Sequence, residues 1–228
     1  MKGRQQGASS VTIRVLLVDD HELVRTGIRR LLEDFDGIEV MAEAENGEEA
    51  VSLVRKDKPD VILMDVNMPG IGGLEATRKL LQIHDDMKII VVTIHVEEPF
   101  PTRLLKAGAS GYLTKGCAIS EIVEAIRTVH KGKRFIGSDV AQQLAMSILP
   151  GNDKSPFETL SQRELQVMLM VTQGQRIQEI AEKLCLSPKT VSTYRYRLFD
   201  KLDVKSDVEL THMAMRHGMM DDSSLVDS

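Results

Sequence analysis

The sequence predicts a doubly wound α/β domain with a five-stranded parallel sheet, followed by a separate all-α domain. Three observations carry this. Between positions 13 and 132, five short apolar runs alternate with five amphipathic stretches of helical spacing. The runs are rich in Val, Ile and Leu with little polar alternation, as in strands covered on both faces. After Gly132 the alternation stops, breaker residues follow, and from Thr159 onward the pattern is helical only.

The elements follow in order. IRVLLV (13–18) is the first strand and 21–35 the first helix. A strand over 38–44 precedes a helix over 46–56, and a strand over 60–66 precedes a helix over 74–83. The fourth strand spans 88–94 and its helix 99–107; the short fifth strand spans 110–114 and its helix 122–132. Right-handed crossovers put these helices on both faces of one sheet. Ligands of such sheets sit at the carboxyl ends of the strands. The expected organisation is a flexible leader (1–11), the α/β domain (12–132), a linker (133–156), the helical domain (157–220) and a tail (221–228). The linker carries a short amphipathic helix over 139–149 and the breakers Pro150, Gly151, Asn152, Ser155 and Pro156.

Composition limits the function classes. The chain has 228 residues, 42% hydrophobic and 28% charged, the balance of a soluble globular protein. No apolar run approaches the roughly 20 residues of a membrane span. The basic start is not followed by the apolar stretch of a secretory signal. A cytoplasmic protein without membrane contact is expected. The net charge of −5 argues against a generic nucleic-acid coat, but a locally basic helix is enough for DNA. Cys117 and Cys185 have no metal-ligand spacing and read as buried or half-buried thiols.

The polar residues at the strand ends carry the chemistry. Asp19 and Asp20 end the first strand, Asp65 the third and Thr93 the fourth, while Lys115 follows the fifth. The fold therefore brings them to one rim. Clustered carboxylates need a hard cation, and Mg²⁺ takes oxygen ligands while keeping several waters. One carboxylate can then attack a phosphoryl group, with Lys115 stabilising the equatorial oxygens. A hydroxyl such as that of Thr93 can follow the phosphoryl group and turn its charge into a loop movement. His21 and His95 read as rim residues.

Residues 13–132 resemble the bacterial receiver domain, a flavodoxin-like fold. The resemblance implies that Asp19, Asp20 and Asp65 hold Mg²⁺ and that Asp65, in the run MDVNMPG, accepts the phosphoryl group. It also implies a backbone carbonyl of Asn67 on the metal, Thr93 as switch hydroxyl, Lys115 as phosphate-binding lysine and Tyr112 as the aromatic that changes rotamer. The sequence departs from the usual pattern at Ile94, where receivers carry a small residue, and at Gly116, where many carry proline.

The C-terminal part opens with a capping box, Ser161 to Glu164, on a helix that Gly174 can end. A short helix over 176–185 leads to Ser187-Pro188, an N-cap with proline at the first helical position. The helix over 189–202 follows, and a last capped helix runs from Ser206 to Gly218. Short helix, tight turn and long helix make a helix-turn-helix. At roughly 100° per residue, Val191, Tyr194 and Leu198 share a core face, while Lys189, Ser192, Thr193 and Tyr196 lie opposite with Arg197 on the edge. Short polar groups for base edges and cations for phosphates suit a DNA-reading helix. Arg195 lies nearer the core side, positioned for phosphate along its flank. The alternative is a polar helix that binds a protein.

Residues 160–218 resemble the LuxR/FixJ-type DNA-binding domain through Leu160, Arg163-Glu164, Gly174, Glu179-Ile180-Ala181, Leu184, Ser187, Thr190-Val191 and Lys201-Leu202-Asp203-Val204. The departures are Ile177-Gln178, Ser192 and Tyr194. Together the two halves resemble two-component response regulators of the NarL/FixJ family, most closely the GacA/UvrY/SirA branch. That resemblance implies a hybrid sensor histidine kinase as phosphodonor, double-stranded promoter DNA as target and a homodimer when phosphorylated. It implies no enzymatic turnover beyond Mg²⁺-dependent phosphotransfer to the chain itself and its reversal.

Overall fold

The computed structural model of the protein describes residues 12–95, 99–147, 155–217 and 219. The expected leader and tail, the breakers Pro150 to Asn152, and Gly218 lie outside the described residues.

Strands β1 (Ile13–Val18), β2 (Ile38–Ala44), β3 (Val61–Met64), β4 (Ile89–Thr93) and β5 (Gly111–Thr114) alternate with helices α1 (Glu22–Glu33), α2 (Gly47–Lys56), α3 (Gly72–Ile83), α4 (Phe100–Ala107) and α5 (Ile119–His130). All strand pairings are parallel, in the order β2-β1-β3-β4-β5-β6. The sixth strand was not expected. Phe135–Ile136 pairs with Gly111 and Tyr112, so the sheet continues into the segment read as linker. Two residues are too few to show a hydrophobic period. The strip also makes β5 an interior strand. Helix α6 (Ser138–Ser147) follows at the expected place.

The strands are buried because both sheet faces are covered. Val15, Leu17, Leu63, Ile90 and Val92 pack toward Ile122 and Ile126 of α5 on one face. Leu16, Val18, Ile62 and Met64 pack toward Val54 of α2 and Leu80 of α3 on the other. Strand order reverses between β1 and β3, which opens a crevice at their carboxyl ends.

A 3-10 turn (Pro156–Thr159) leads into α7 (Gln162–Thr172), α8 (Ile177–Lys183), α9 (Pro188–Leu202) and α10 (Asp207–Arg216). The capping box at Ser161 and Glu164 is formed, and Ser187 and Ser206 cap α9 and α10 by accepting from Thr190 and Glu209 backbone N–H groups. Leu165, Met168, Ile180, Val191, Leu198 and Leu210 are all buried in one core. Cys117 is half-buried, but Cys185 is exposed, contrary to expectation. It sits at φ 53° in the turn after α8, where the reversal of the chain holds it away from the core.

The helical domain packs on the α/β domain. Phe157 and Leu160 share a hydrophobic cluster with Phe100, Leu104 and Tyr112. Arg103 of α4 donates to the carbonyls of Phe157 (3.1 Å), Glu158 (2.9 Å) and Leu160 (2.5 Å). The loop after β3 is held from the other side. Gly70 N–H donates to the Lys183 carbonyl (2.6 Å), and Arg163 Nη1 donates to the Gly70 carbonyl (2.9 Å). No described helix is long and apolar enough to cross a membrane.

Candidate phosphoacceptor site and nucleic-acid interface

The parallel ladder delivers the strand-end residues to one place. Asp19 N–H bonds the Ala44 carbonyl, Asp65 N–H the Val18 carbonyl and Lys115 N–H the Thr93 carbonyl, each extending a ladder by one residue. Ligand atoms of Asp19, Asp20, His21 and Asp65 lie within 4.8 Å of one another. Asp19 and Asp65 are buried, whereas Asp20 and His21 stand exposed at the rim. Lys115 Nζ spans the pair, 2.7 Å from Asp19 Oδ2 and 3.0 Å from Asp65 Oδ2.

Burial pushes the Asp65 carboxyl up from 3.8 to about 6; Lys115 opposes this and the Asp19 charge adds to it. The Lys115 ammonium is itself penalised by burial, but Asp65 and Asp19 together outweigh that and raise its pKa. Three carboxylates with one ammonium leave excess negative charge among hard oxygen donors. That donor set fits a small divalent cation such as Mg²⁺.

The loop beyond Asp65 is shaped by glycine. A Cβ on Gly73 would stand 2.0 Å from the Asp65 carbonyl oxygen, so only glycine lets α3 start this close to the site. Val66 N–H donates to Asp65 Oδ1 (2.7 Å), which orients the carboxylate.

Thr93 is fully buried, and its Oγ1 accepts from His95 N–H at 3.3 Å. Tyr112 is also fully buried, with its hydroxyl donating to the His95 carbonyl (2.7 Å). His95 is not a rim residue. It stacks on Phe100 with ring centroids 4.5 Å apart, and its Nε2 lies 2.6 Å from Asn67 Nδ2. Burial, with Lys115 adding, lowers its pKa to about 4, so the neutral ring accepts from the Asn67 amide. Ile94 is exposed, and its side chain lines the cavity in front of Asp65.

Sequence reasoning missed Arg25. This α1 residue is buried and donates to the Asp19 carbonyl at 2.6 Å and to Glu45 Oε1 at 3.0 Å. The signal was present: an arginine one turn into a helix that starts beside an acidic pair.

On α9, Val191 and Leu198 are buried and Tyr194 is half-buried, while Lys189, Thr193, Tyr196 and Arg197 are exposed. Ser192 and Thr193 hydroxyls donate back to the carbonyls of Pro188 and Lys189, both at 2.9 Å, and keep their oxygens as outward acceptors. Arg195 departs from expectation. Its guanidinium makes a two-bond pair with Asp207 of α10, both at 2.7 Å, and stacks 4.7 Å over Phe199. It braces α9 against α10 and is not turned outward for phosphate. Lys201 is likewise committed, 2.6 Å from Glu164 of the capping box.

Comparison with known proteins follows this division. Residues 15–127 match the response regulator receiver domain, and residues 158–214 match the bacterial regulatory proteins of the luxR family. The response regulator GacA of Pseudomonas viridiflava is 59% identical over 213 residues, 93% of this chain and 100% of that protein. The response regulator UvrY of Escherichia coli K12 is 58% identical over 214 residues, 93% of this chain and 98% of that protein. Among solved structures, the two-component response regulator RcsB in complex with DNA is 28% identical, with a TM-score of 0.56, over 90% of this chain and 98% of that one. The chain belongs to the response regulators that join a receiver domain to a luxR-family DNA-binding domain.

Proposed function

We propose that Asp65 accepts a phosphoryl group from a sensor histidine kinase of the hybrid type, and that this switches DNA binding by α9. The single observation that carries the reading is the Lys115 ammonium between two buried carboxylates at the switch point of the sheet. The functional units are residues 12–132 as receiver, 133–156 as linker, whose strand β6 extends the receiver sheet, and 157–220 as DNA-binding domain. Asp19, Asp20, Asp65 and the Asn67 carbonyl would hold Mg²⁺. Bound there, the ion would neutralise charge on the transferring oxygens. Lys115 pairs with the phosphoryl oxygens once Asp65 no longer presents a free carboxylate. Thr93 turns its hydroxyl toward the phosphoryl group and gives up the His95 N–H. The backbone at His95 then shifts, and because its carbonyl holds the Tyr112 hydroxyl, the aromatic moves with it. Beyond this self-modification and its reversal, the chain turns over no substrate.

Lys189, Ser192, Thr193, Tyr196 and Arg197 form the DNA face, in a cytoplasmic protein that pairs as a homodimer on two-fold related promoter sites. The RcsB–DNA complex supports this use of the C-terminal domain. The test is selection from random duplexes with and without Mg²⁺ and a phosphoryl mimic. A two-fold symmetric site, bound more tightly with the mimic and lost in Tyr196→Ala, is the expected result. No enriched sequence in either state would favour a protein partner for α9.

A further inference from the structure

Asp65 is 3% exposed and faces a cavity of about 510 Å³. One wall is the receiver, with Asp20, Asp65, Asn67 and Lys115; the other is the C-terminal domain, with Gln166, Leu169, Met170 and Lys183. The C-terminal domain therefore stands where a donor must approach. The recognition face of α9, by contrast, is open: Tyr196 is 72% exposed, and Lys189, Thr193 and Arg197 are exposed with it. Docking of the two domains covers the phosphoryl chemistry and leaves the DNA face uncovered.

Resting on the reading of Asp65 as phosphoacceptor, we propose that the docked C-terminal domain is a gate on that residue, admitting small acyl phosphates and excluding a phosphohistidine carried on a protein. A cavity of this size holds a small ligand. A protein donor brings a surface around its imidazole, and that surface needs the space held by Gln166, Leu169 and Met170. In either transfer an Asp65 Oδ–P bond forms as the donor's bond to phosphorus breaks. The electron pair of an acyl phosphate's O–P bond leaves on the carboxylate. That of a phosphohistidine's N–P bond leaves on the imidazole nitrogen, which takes a proton from water. The chemistry at Asp65 is the same, so the donors differ in access.

The clasp that must open is specific. Both backbone groups of Gly70 are bonded to the C-terminal domain, and Gly70 lies on the loop that begins at Asp65. Gly70 has φ +73°, a conformation that glycine adopts without strain. Arg103 holds the far side through three carbonyls. Coupling between docking and donor access is reciprocal. Loosening the clasp speeds uptake from a protein, and uptake that needs an open clasp favours separated domains.

The test compares full-length wild type with the double variant Arg163→Ala, Arg103→Ala, neither residue being placed in the site. Phosphoryl uptake is timed with acetyl phosphate and with a phosphorylated histidine phosphotransfer domain, both with Mg²⁺, and domain separation is read by small-angle scattering. The expected result is about tenfold faster uptake from the protein donor, with acetyl phosphate uptake changed less than about twofold. The acetyl phosphate rate also reports that the variant is folded. Equal acceleration with both donors, or no acceleration although the domains have separated, overturns the gate. Wild type that takes phosphoryl groups from neither donor, or an Asp65→Asn chain that still takes them, overturns the site reading and the gate with it.

Discussion

Replacing Asp65 by Asn should stabilise the metal-free protein, and the gain should depend on pH in a set direction. The carboxyl is 3% exposed and keeps its proton up to about pH 6, against an ordinary 3.8. Burial is the main cause, partly offset by Lys115. Holding an ionised carboxylate there at pH 8 costs about 3 kcal/mol relative to the unfolded chain. The sign follows from the raised value. The penalty is absent below pH 3.8, grows as pH rises through 6, and is complete above that. Asn removes it, while Lys115 keeps Asp19 at 2.7 Å. A net gain of about 2 kcal/mol corresponds to a rise in Tm of roughly 5 °C at pH 8, fading to nothing near pH 4. Thermal unfolding in EDTA across that range measures it. Added Mg²⁺ should then raise the Tm of wild type by mass action and that of the variant much less. A variant less stable than wild type at pH 8, or a gain equal at all pH values, would refute the argument.

Other outcomes follow from the same geometry. His95, held neutral to about pH 4, should show no titration between pH 5 and 8 by NMR; a midpoint near 6.5 would contradict its burial. Its lowered value is a stability contribution present above pH 6.5 and lost as pH falls toward 4, on the order of 3 kcal/mol. Glu164→Ala removes the acceptor of both Ser161 N–H (2.6 Å) and Lys201 (2.6 Å), and should cost about 1–3 kcal/mol in denaturant unfolding; Glu164→Gln, which keeps one bond, should cost less. Arg195→Ala should lower Tm, by about 1 kcal/mol in stability, and leave the salt dependence of DNA binding unchanged. Arg197→Ala should do the reverse, preserving Tm and reducing the salt slope by about one.

The order of strands and helices, the convergence of Asp19, Asp20, Asp65, Thr93 and Lys115, and the caps at Ser161, Ser187 and Ser206 were legible in the sequence. Each depends on local period or on a residue at a fixed offset, and a parallel sheet carries strand ends to one rim whatever its loops do. The sixth strand was not legible, because two residues show no period and Phe135–Ile136 is a strand only beside β5. The roles of His95, Arg25 and Arg195 were not legible either. Their partners are Asn67, Glu45 and Asp207, 28, 20 and 12 positions away, and no spacing rule links them. The packing of the C-terminal domain against the Asp65 loop is the extreme case, since Gly70 meets Lys183 across more than a hundred residues. Sequence alone determined the two folds and the chemistry of one rim, because these follow from periodicity and residue type. Tertiary structure alone decided which polar groups are buried and which cations are already paired. It also decided that the luxR-family domain stands before Asp65, because burial and pairing are set by contacts the chain makes only when folded.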